Sequence, residues 1–298
     1  MNTKLSEAIQ LCPAEIQPLL TEIVQTVDFC GVIYAEAVQS LLNTLGSDYD
    51  QLMLALLPLA KSYAVPPISH FYVGAVCRGG SGNLYLGGNM EFPGQTLGAT
   101  IHAEQAAITH AWLHEEESVE AIAINGTPCG HCRQFMNELA GASQLRIITP
   151  RLGKLLLPEL LPGAFGPDSL QNPTGWLHPV DHGLRLAEAA IDALATAALA
   201  QANRSYAPYS ANYAGAAVQT TDGAIFAAPY AENAAFNPSL SPLQGALLHL
   251  HLAGKSFNDI QQAVLVESAQ SLCSQADATR ALLASVCAAP LRYYRTKE

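Results

Sequence analysis

The chain contains Ser62-Tyr63-Ala64 with Gly74-Ala75-Val76 shortly after it, and repeats this as Ser205-Tyr206-Ala207 with Gly215-Ala216-Ala217-Val218. The likeness continues in the same order: Asn89-Met90-Glu91-Phe92 matches Tyr230-Ala231-Glu232-Asn233, Gln105 matches Gln244, the strand Ala121–Asn125 matches Ala263–Glu267, and Leu145–Ile148 matches Leu291–Tyr294. Internal similarity of this kind indicates a duplicated structural unit. The second half of the chain is therefore predicted to be a copy of the first.

Each copy shows one order of elements: helix, two short strands joined by a Gly-containing turn (79–82 and 222–223), helix, strand, helix and strand. Such alternation predicts an α/β fold with a mixed sheet in each copy. A Pro/Gly-rich stretch at 151–182 predicts an interdomain connection, and residues 1–47 show helical apolar spacing without strand alternation. The predicted regions are thus a helical 1–47, a first domain 48–150, the connection 151–182 and a second domain 183–298.

The composition favours a globular protein that acts on a small molecule. Of 298 residues, 50% are hydrophobic and 13% are charged, enough to bury a sizeable core. The formal charge of −11 would repel a polyanion, which argues against DNA or RNA as the substrate. A small uncharged substrate fits better.

The chain shows no predicted signal for export or for a membrane. Residues 1–10 lack a basic stretch followed by a long apolar run, and apolar runs such as Leu52–Ala60 are too short to span a bilayer. The Ala-rich stretch Leu184–Ala202 carries charges at helical spacing and is predicted to be a packed helix. Seven cysteines without framework spacing, two of them as Cys-x-x-Cys, favour a reducing cytoplasm and metal binding over disulfides.

Two short motifs carry the chemistry. His102-Ala103-Glu104 opens an apolar helix, and Pro128-Cys129-Gly130-His131-Cys132 stands between a buried strand and another helix. A Cys-x-x-Cys at a helix start places both thiols on one turn, where the backbone amides favour the thiolate that binds metal. One histidine and two thiolates leave the fourth position of a tetrahedral zinc ion for water, which predicts a catalytic zinc.

Glu104 is the predicted proton carrier of this site. It lies two residues after His102, close enough to meet a water at the metal without ligating the metal itself. It can accept a proton from that water and deliver it to a ring nitrogen and a leaving amine. The combination of His-x-Glu with Pro-Cys-x-x-Cys is the signature of zinc deaminases.

The pair Cys129 and Cys132 also allows other interpretations. A Cys-x-x-Cys alone could be a redox pair or half of a structural zinc site. The joint pattern disfavours both, because a structural site would need a fourth ligand and would leave Glu104 without a role. His131 could be that fourth ligand, but we favour it as a neighbour of the site, since residues adjacent in one short turn rarely all point at the metal.

Together these residues resemble the cytidine deaminase family, in its long, dimeric bacterial type with a zinc-binding half and a degenerate half. The resemblance covers nearly the whole chain and rests on Phe71, Asn89-Met90-Glu91, Thr100–Gln105, Pro128–Gln134, Ala164–Pro167 and Tyr230–Pro238. It implies a three-layer α/β/α fold with a mixed sheet, present twice. It also implies the deamination of cytidine and 2′-deoxycytidine to uridine and 2′-deoxyuridine with release of ammonia, as in pyrimidine salvage.

The resemblance also assigns substrate contacts. It implies that Phe71 packs on the pyrimidine ring and that Asn89 and Glu91 hydrogen-bond the ribose hydroxyl, so the substrate is a nucleoside. A carboxylate there suits a sugar hydroxyl and would repel a phosphate, so nucleotides should be poor substrates. The alternatives are that Phe71 is an ordinary core aromatic and that Asn89 and Glu91 belong to a solvated turn; without the resemblance, the turn would be favoured for Asn89 and Glu91.

The second copy has lost the zinc pattern, because Ser241-Pro242-Leu243 replaces His-Ala-Glu and only Cys273 remains near the cysteine positions. One zinc ion per chain is therefore expected. The resemblance implies a homodimer with the active site near the subunit interface, where residues 230–236 and Phe165 are candidates to cover the partner's site. The remaining thiols, Cys12, Cys30, Cys77 and Cys287, are predicted to be buried small apolar residues, and the other histidines receive no role.

Two rival functions remain at this point. A polynucleotide cytosine or adenine editor shares the zinc motif but predicts a basic groove, against which the charge of −11 and the pair Asn89 and Glu91 count. A non-catalytic zinc scaffold predicts a metal sealed by four ligands. A binding titration with single-stranded DNA at moderate salt tests the editor. Loss of cytidine absorbance, measured with metal content per chain, tests the scaffold.

Overall fold

The computed structural model describes residues 3–27, 29–172, 174–187 and 192–297. The chain forms two compact units: unit 1 comprises Met1–Glu91 and Ile101–Ala164, and unit 2 comprises Phe92–Thr100 and Phe165–Glu298. The short segment Phe92–Thr100 therefore packs with the second half of the chain, although it lies within the first half in sequence. The four regions expected from the sequence stay a prediction.

Unit 1 is an α/β unit preceded by helices. Its helices are α1 (Thr3–Ile9), α2 (Gln17–Val24), α3 (Ala35–Leu45), α4 (Tyr49–Ala55), α5 (Leu57–Lys61), α6 (Ala103–Leu113), α7 (Gly130–Met136) and α8 (Leu157–Leu160). Its strands are β1 (Val32–Ile33), β2 (Gly74–Gly79), β3 (Leu84–Gly88), β4 (Val119–Ile124), β5 (Arg146–Thr149) and β6 (Gly153–Leu156). The strands form one sheet in the order β1-β3-β2-β4-β5-β6.

The sheet of unit 1 is mixed and lies between two layers of helix. Strands β4 and β5 pair in parallel and the other neighbours are antiparallel. Successive residues of a strand face opposite sides, and β3 ends on two glycines. A Cβ on Gly87 would lie 2.4 Å from the Ala107 backbone of α6, and one on Gly88 would lie 2.4 Å from the Ala64 backbone after α5. Helical segments therefore press on both faces, which confirms the predicted three-layer arrangement.

Unit 2 repeats this unit with fewer additions. It contains α9 (Ala193–Asn203), β7 (Ala214–Thr220), β8 (Ile225–Pro229), α10 (Pro242–Leu252), β9 (Ile260–Glu267), α11 (Ala276–Val286) and β10 (Leu291–Arg295). The sheet order β10-β9-β7-β8 is the same as β5-β4-β2-β3 in unit 1. Even the register shift between Arg78 and Gly79 recurs between Gln219 and Thr220. The predicted duplication is confirmed.

Two local predictions were wrong. The N-terminal region contains a strand, β1, which pairs antiparallel with β3; two residues are too few to show an alternating pattern in sequence. Helix α9 begins at Ala193, and Leu184–Ala187 lie outside any helix. The Asp192 carboxylate accepts a hydrogen bond from the Ala195 amide at 2.9 Å and so caps the helix there. Residues 188–191 of that prediction lie outside the described residues.

Among the described residues, no helix is long and apolar enough to cross a bilayer. All seven cysteines lie in the described ranges, and none of them forms a disulfide bond.

Candidate active site

His102 stands at the N-terminus of helix α6, which is buried on nearly every side. Its backbone is extended, with φ −79° and ψ 157°, and its amide donates to the Gln105 side-chain oxygen at 3.1 Å. A helix that is buried all round cannot shift without disturbing the core, so the position of His102 is fixed by the packing of α6.

The two cysteines stand at the start of helix α7. Cys129 is the N-cap residue and is exposed, whereas Cys132 lies within the first turn and is buried. The loop before them is held by Arg133, which donates to the Pro128 carbonyl at 2.9 Å and to the Leu160 carbonyl at 2.8 Å. Both sulfur atoms therefore lie near the N-terminus of α7, which is the positive end of the helix dipole. The hydrogen bonds of Arg133 leave the preceding loop little freedom to move.

The three predicted zinc ligands come together. The Cys129 and Cys132 sulfur atoms are 3.6 Å apart, and the Cys129 sulfur is 3.6 Å from the His102 Nδ1. One ligand atom from each residue lies within 4.8 Å of the others. In tetrahedral zinc, bonds of about 2.3 Å to sulfur and about 2.0 Å to nitrogen separate ligand atoms by roughly 3.5 to 3.8 Å. The cluster therefore fits a zinc ion.

The protonation of these groups suits a cation. Hydrogen bonds with Cys132 and His102 lower the pKa of the Cys129 thiol to about 3, so Cys129 is a thiolate. The hydrogen bond with Cys129, followed by burial, raises the pKa of Cys132. A thiolate beside a second thiol is a ready ligand set, because metal binding only has to displace the remaining proton.

Glu104 lies beside this cluster and is almost inaccessible, with 4% of its surface exposed. Burial is the main influence on its carboxyl group and raises the pKa of Glu104, while its hydrogen bond with Cys132 acts in the opposite direction. A raised pKa moves a carboxyl group toward the working pH, where general acid and base catalysis is most effective.

His131 is a neighbour of the cluster. Its ring stacks on the His102 ring with centroids 5.1 Å apart, and it is not one of the three residues whose ligand atoms meet. Burial, followed by the charge of His102, lowers the pKa of His131, which favours a neutral ring there. Its stacking restrains His102 from one side.

Phe71 lies in the loop 68–73, and Asn89 and Glu91, which follow β3, hold this loop in place. The Asn89 side chain accepts from the Val73 amide at 2.9 Å and donates to the Phe71 carbonyl at 2.9 Å. Glu91 accepts from the Ile68 and Ser69 amides at 2.8 and 2.9 Å and from the Ser69 hydroxyl. These bonds hold the loop 68–73 so that Phe71 projects from it with 66% of its surface exposed.

The same brace exists in unit 2, where there is no zinc motif. Glu232 accepts from the Tyr209 and Ser210 amides at 2.8 and 3.2 Å and from the Ser210 hydroxyl. Bracing this loop is therefore a property of the fold and does not require an active site. A carboxylate offers about four acceptor positions, so the three bonds to Glu91 leave one for a ligand.

Unit 2 keeps the helix start but not the ligands. The Ser241 amide donates to the Gln244 side chain at 2.9 Å, just as His102 does to Gln105. Within the described part of the chain, groups of three metal-ligating side chains occur at two places, and both lie in unit 1.

Sequence patterns did not indicate several of these residues. Arg133, Ser69 and Gln105 act through hydrogen bonds that hold the site, and only the recurrence of Gln105 as Gln244 gave a signal. The second metal-ligating group in unit 1 consists of Cys30, His110 and His114. The prediction that Cys30 is an apolar filler was wrong, because Cys30 is half-buried and its sulfur contacts the His114 ring.

A duplicated mixed sheet that carries one histidine, two thiols and a buried glutamate at the starts of two helices defines a zinc-dependent hydrolytic deaminase. Comparisons with known proteins agree. Models of the cytidine and deoxycytidylate deaminase zinc-binding region match residues 47–147 and 157–280. The chain belongs to this family.

Relatives resemble the chain over most of its length. The chain is 51% identical over 271 residues to the cytidine deaminase of Yersinia pestis (strain Pestoides F). The alignment covers 91% of this chain and 92% of the relative. The chain is 46% identical over 286 residues to that of Serratia proteamaculans (strain 568), with 96% and 97% covered. A crystal structure of cytidine deaminase from Mycobacterium tuberculosis is 30% identical and covers 40% of this chain and 99% of its own, with a TM-score of 0.37.

Proposed function

We propose that this enzyme deaminates cytidine and 2′-deoxycytidine hydrolytically, giving uridine or 2′-deoxyuridine and ammonia. The observation that carries the proposal is the meeting of His102, Cys129 and Cys132 beside the buried carboxyl group of Glu104. These three side chains would hold Zn²⁺. The ion, when bound, supplies a Lewis acid that makes water nucleophilic at neutral pH.

Glu104 moves the protons in this proposal. Its carboxylate takes a proton from the water that attacks C4 of the ring and passes it to N3. Glu104 then takes the proton that remains on the attacking oxygen and delivers it to the exocyclic nitrogen. The C4–N bond breaks, ammonia leaves, and the oxygen stays on C4 as the carbonyl of the product. The overall change adds one water and releases one ammonia, so no redox partner is needed. Burial of Glu104 keeps bulk water from competing for these protons.

The loop 68–73 provides the substrate contacts in this proposal. Phe71 projects an exposed ring that can pack on the pyrimidine, and Asn89 and Glu91 lie at the base of the same loop. The remaining acceptor position of Glu91 suits a sugar hydroxyl, while its negative charge disfavours a phosphate. We therefore assign the substrate as a free nucleoside.

The test is the loss of cytidine absorbance with the purified protein, measured together with zinc per chain. Turnover of cytidine and 2′-deoxycytidine with little turnover of CMP supports the proposal. No turnover with one zinc ion bound would instead indicate a metal scaffold. Tight binding of single-stranded DNA at moderate salt would indicate a polynucleotide editor, which the charge of −11 disfavours.

We further propose a cytoplasmic homodimer that serves pyrimidine salvage, with one catalytic zinc per chain. None of the seven cysteines, all of which lie in the described ranges, forms a disulfide bond, which suits a reducing compartment. In unit 2, Phe165 and Phe236 are exposed apolar rings of the kind that interfaces bury, and they are candidates to cover the partner's active site. Sedimentation of the zinc-loaded protein tests the dimer.

Replacing Phe71 with Ala should raise KM for cytidine about tenfold, because stacking of a base on an aromatic ring contributes roughly 1–3 kcal/mol. The ring is exposed, so Tm should change little. The kinetic constants of this variant are to be compared with those of Leu272→Ala, which removes a side chain 94% exposed in unit 2. Equal KM values for the two variants would contradict the stacking role.

The duplicated brace offers a matched pair of variants. Glu91→Gln and Glu232→Gln each replace one carboxylate oxygen, which accepts hydrogen bonds, by an NH₂ group, which can only donate. In each loop this leaves donors facing donors, so both variants should lower Tm by similar amounts. Only Glu91→Gln should raise KM for cytidine, by about tenfold, because hydrogen bonds to charged groups contribute roughly 1.5–3 kcal/mol. If both variants kept the wild-type KM, Glu91 would only brace the loop.

A further inference from the structure

Unit 1 contains a second group of metal-ligating side chains at the other end of helix α6. Cys30, from the segment before β1, lies beside His110 and His114, and one ligand atom from each lies within 4.8 Å of the others. The Cys30 sulfur is 3.8 Å from the His114 Nε2. His110 lies 8 residues and His114 lies 12 residues after His102. These separations correspond to about 12 and 18 Å along the helix axis.

Both histidines are oriented as metal ligands usually are. The Nδ1 of His110 lies 2.9 Å from the Leu86 carbonyl, and the Nδ1 of His114 lies 3.0 Å from the His110 carbonyl. A carbonyl can only accept, so each Nδ1 donates, and in the neutral tautomer that makes this bond Nε2 carries the lone pair. An imidazole that donates one N–H to a backbone carbonyl and offers its other nitrogen is the typical arrangement of a zinc-bound histidine.

The distances suit a small cation. Tetrahedral zinc would place a sulfur and a nitrogen ligand about 3.5 Å apart. The separation of 3.8 Å between Cys30 and His114 is close to this and to the 3.6 Å between Cys129 and His102. A hydrogen bond between the Cys30 thiol and the His114 imidazole would give a similar distance. The experiments below distinguish metal binding from such a hydrogen bond.

The surroundings hold the group in place and leave it accessible. The Tyr85 ring packs against both imidazoles, with centroids 5.5 and 5.8 Å away. Gly31, with φ +91°, brings its backbone so close that a Cβ would lie 3.4 Å from the His110 ring. His110 is buried, whereas Cys30 and His114 are half-buried, so a cation can enter from their side.

We propose that Cys30, His110 and His114 form a second metal site, which binds Zn²⁺ or a similar divalent transition-metal ion with water as fourth ligand. Mixed thiolate and imidazole ligands select ions of this class over Mg²⁺ or Ca²⁺. The ion ties the segment around Cys30 to helix α6, whose opposite end carries His102 and Glu104. The site takes no part in deamination, because it lies at the opposite end of α6 from Glu104.

Metal content is the first test. After dialysis against micromolar free Zn²⁺, the wild type should hold two zinc ions per chain, while Cys30→Ser and His114→Gln should each hold one. Cys273→Ser, which removes a thiol in unit 2, should keep two. Both site variants should deaminate cytidine within about twofold of wild type, which shows that they are folded. One zinc ion in the wild type would overturn the proposal.

Cobalt spectroscopy tests the ligands directly. In a background of Cys129→Ser with Cys132→Ser, added Co²⁺ should still give a thiolate-to-cobalt charge-transfer band in the near ultraviolet, and Cys30→Ser should abolish it. If the band survives Cys30→Ser, Cys30 is not a ligand and is only hydrogen-bonded to His114. The same conclusion follows if the Cys129→Ser, Cys132→Ser protein that still has Cys30 shows no band. If the double variant is unstable, the metal counts above decide the question.

Discussion

Glu104→Gln is expected to lower kcat for cytidine by roughly a hundredfold to ten-thousandfold, the usual contribution of a general acid and base, while zinc content stays at the wild-type level. Gln keeps the volume of the buried side chain, so the packing around it, where only 4% of its surface is exposed, is preserved. It cannot take a proton from water or return one to the ring. Glu104→Ala should be at least as inactive.

A second buried carboxylate provides the control for this prediction. Glu116 is also buried and accepts hydrogen bonds from Tyr85 and Ser81. Glu116→Gln should cost stability but leave kcat within about threefold, because Glu116 lies at the far end of α6 from the zinc cluster. Metal content and single-turnover rates of the two variants are the measurements. A Glu104→Gln enzyme that kept near-normal kcat would show that another group moves the protons.

The sequence predicted the zinc cluster because its residues occupy helix starts. His102 precedes α6 and Cys129 and Cys132 flank the start of α7, so spacing within each motif already defines which side chains share a turn. The sheets could be predicted too, because one repeated order of elements appears twice and each copy supports the other.

Features that depend on contacts between distant segments could not be predicted in this way. Cys30 meets His114 across 84 positions of sequence, and no periodicity relates a loop thiol to the end of a helix. The bonds from Glu91 to the loop at Ile68 and Ser69 were likewise hidden, because a carboxylate in a turn looks the same whether it faces solvent, backbone or ligand. Only its recurrence in Glu232 shows that the brace belongs to the fold.

Cys129→Ala is expected to remove the zinc ion of the active site and the activity together. Cys129 is exposed, so the truncation should cost little folding free energy, but it deletes the thiolate whose pKa is about 3 and which contacts both His102 and Cys132. Loss of a partner that merely supports a zinc ligand costs about 10- to 100-fold in metal affinity or activity, so loss of a ligand should cost more than about a hundredfold. Zinc per chain and kcat/KM for cytidine are measured on the same preparation.

The control lies in the degenerate copy, where Cys273 is the exposed thiol nearest the corresponding position. Cys273→Ala should retain the zinc content and the cytidine turnover of the wild type. Wild-type enzyme treated with a chelator should lose activity and regain it with added Zn²⁺, whereas Cys129→Ala should not recover at the same zinc concentration. Glu104→Gln should keep the zinc ion of the active site but lose proton transfer, whereas Cys129→Ala should lose that zinc ion. Comparing these two variants distinguishes metal binding from proton transfer. Full activity in a Cys129→Ala enzyme that has lost one zinc ion per chain would exclude a catalytic metal at this cluster.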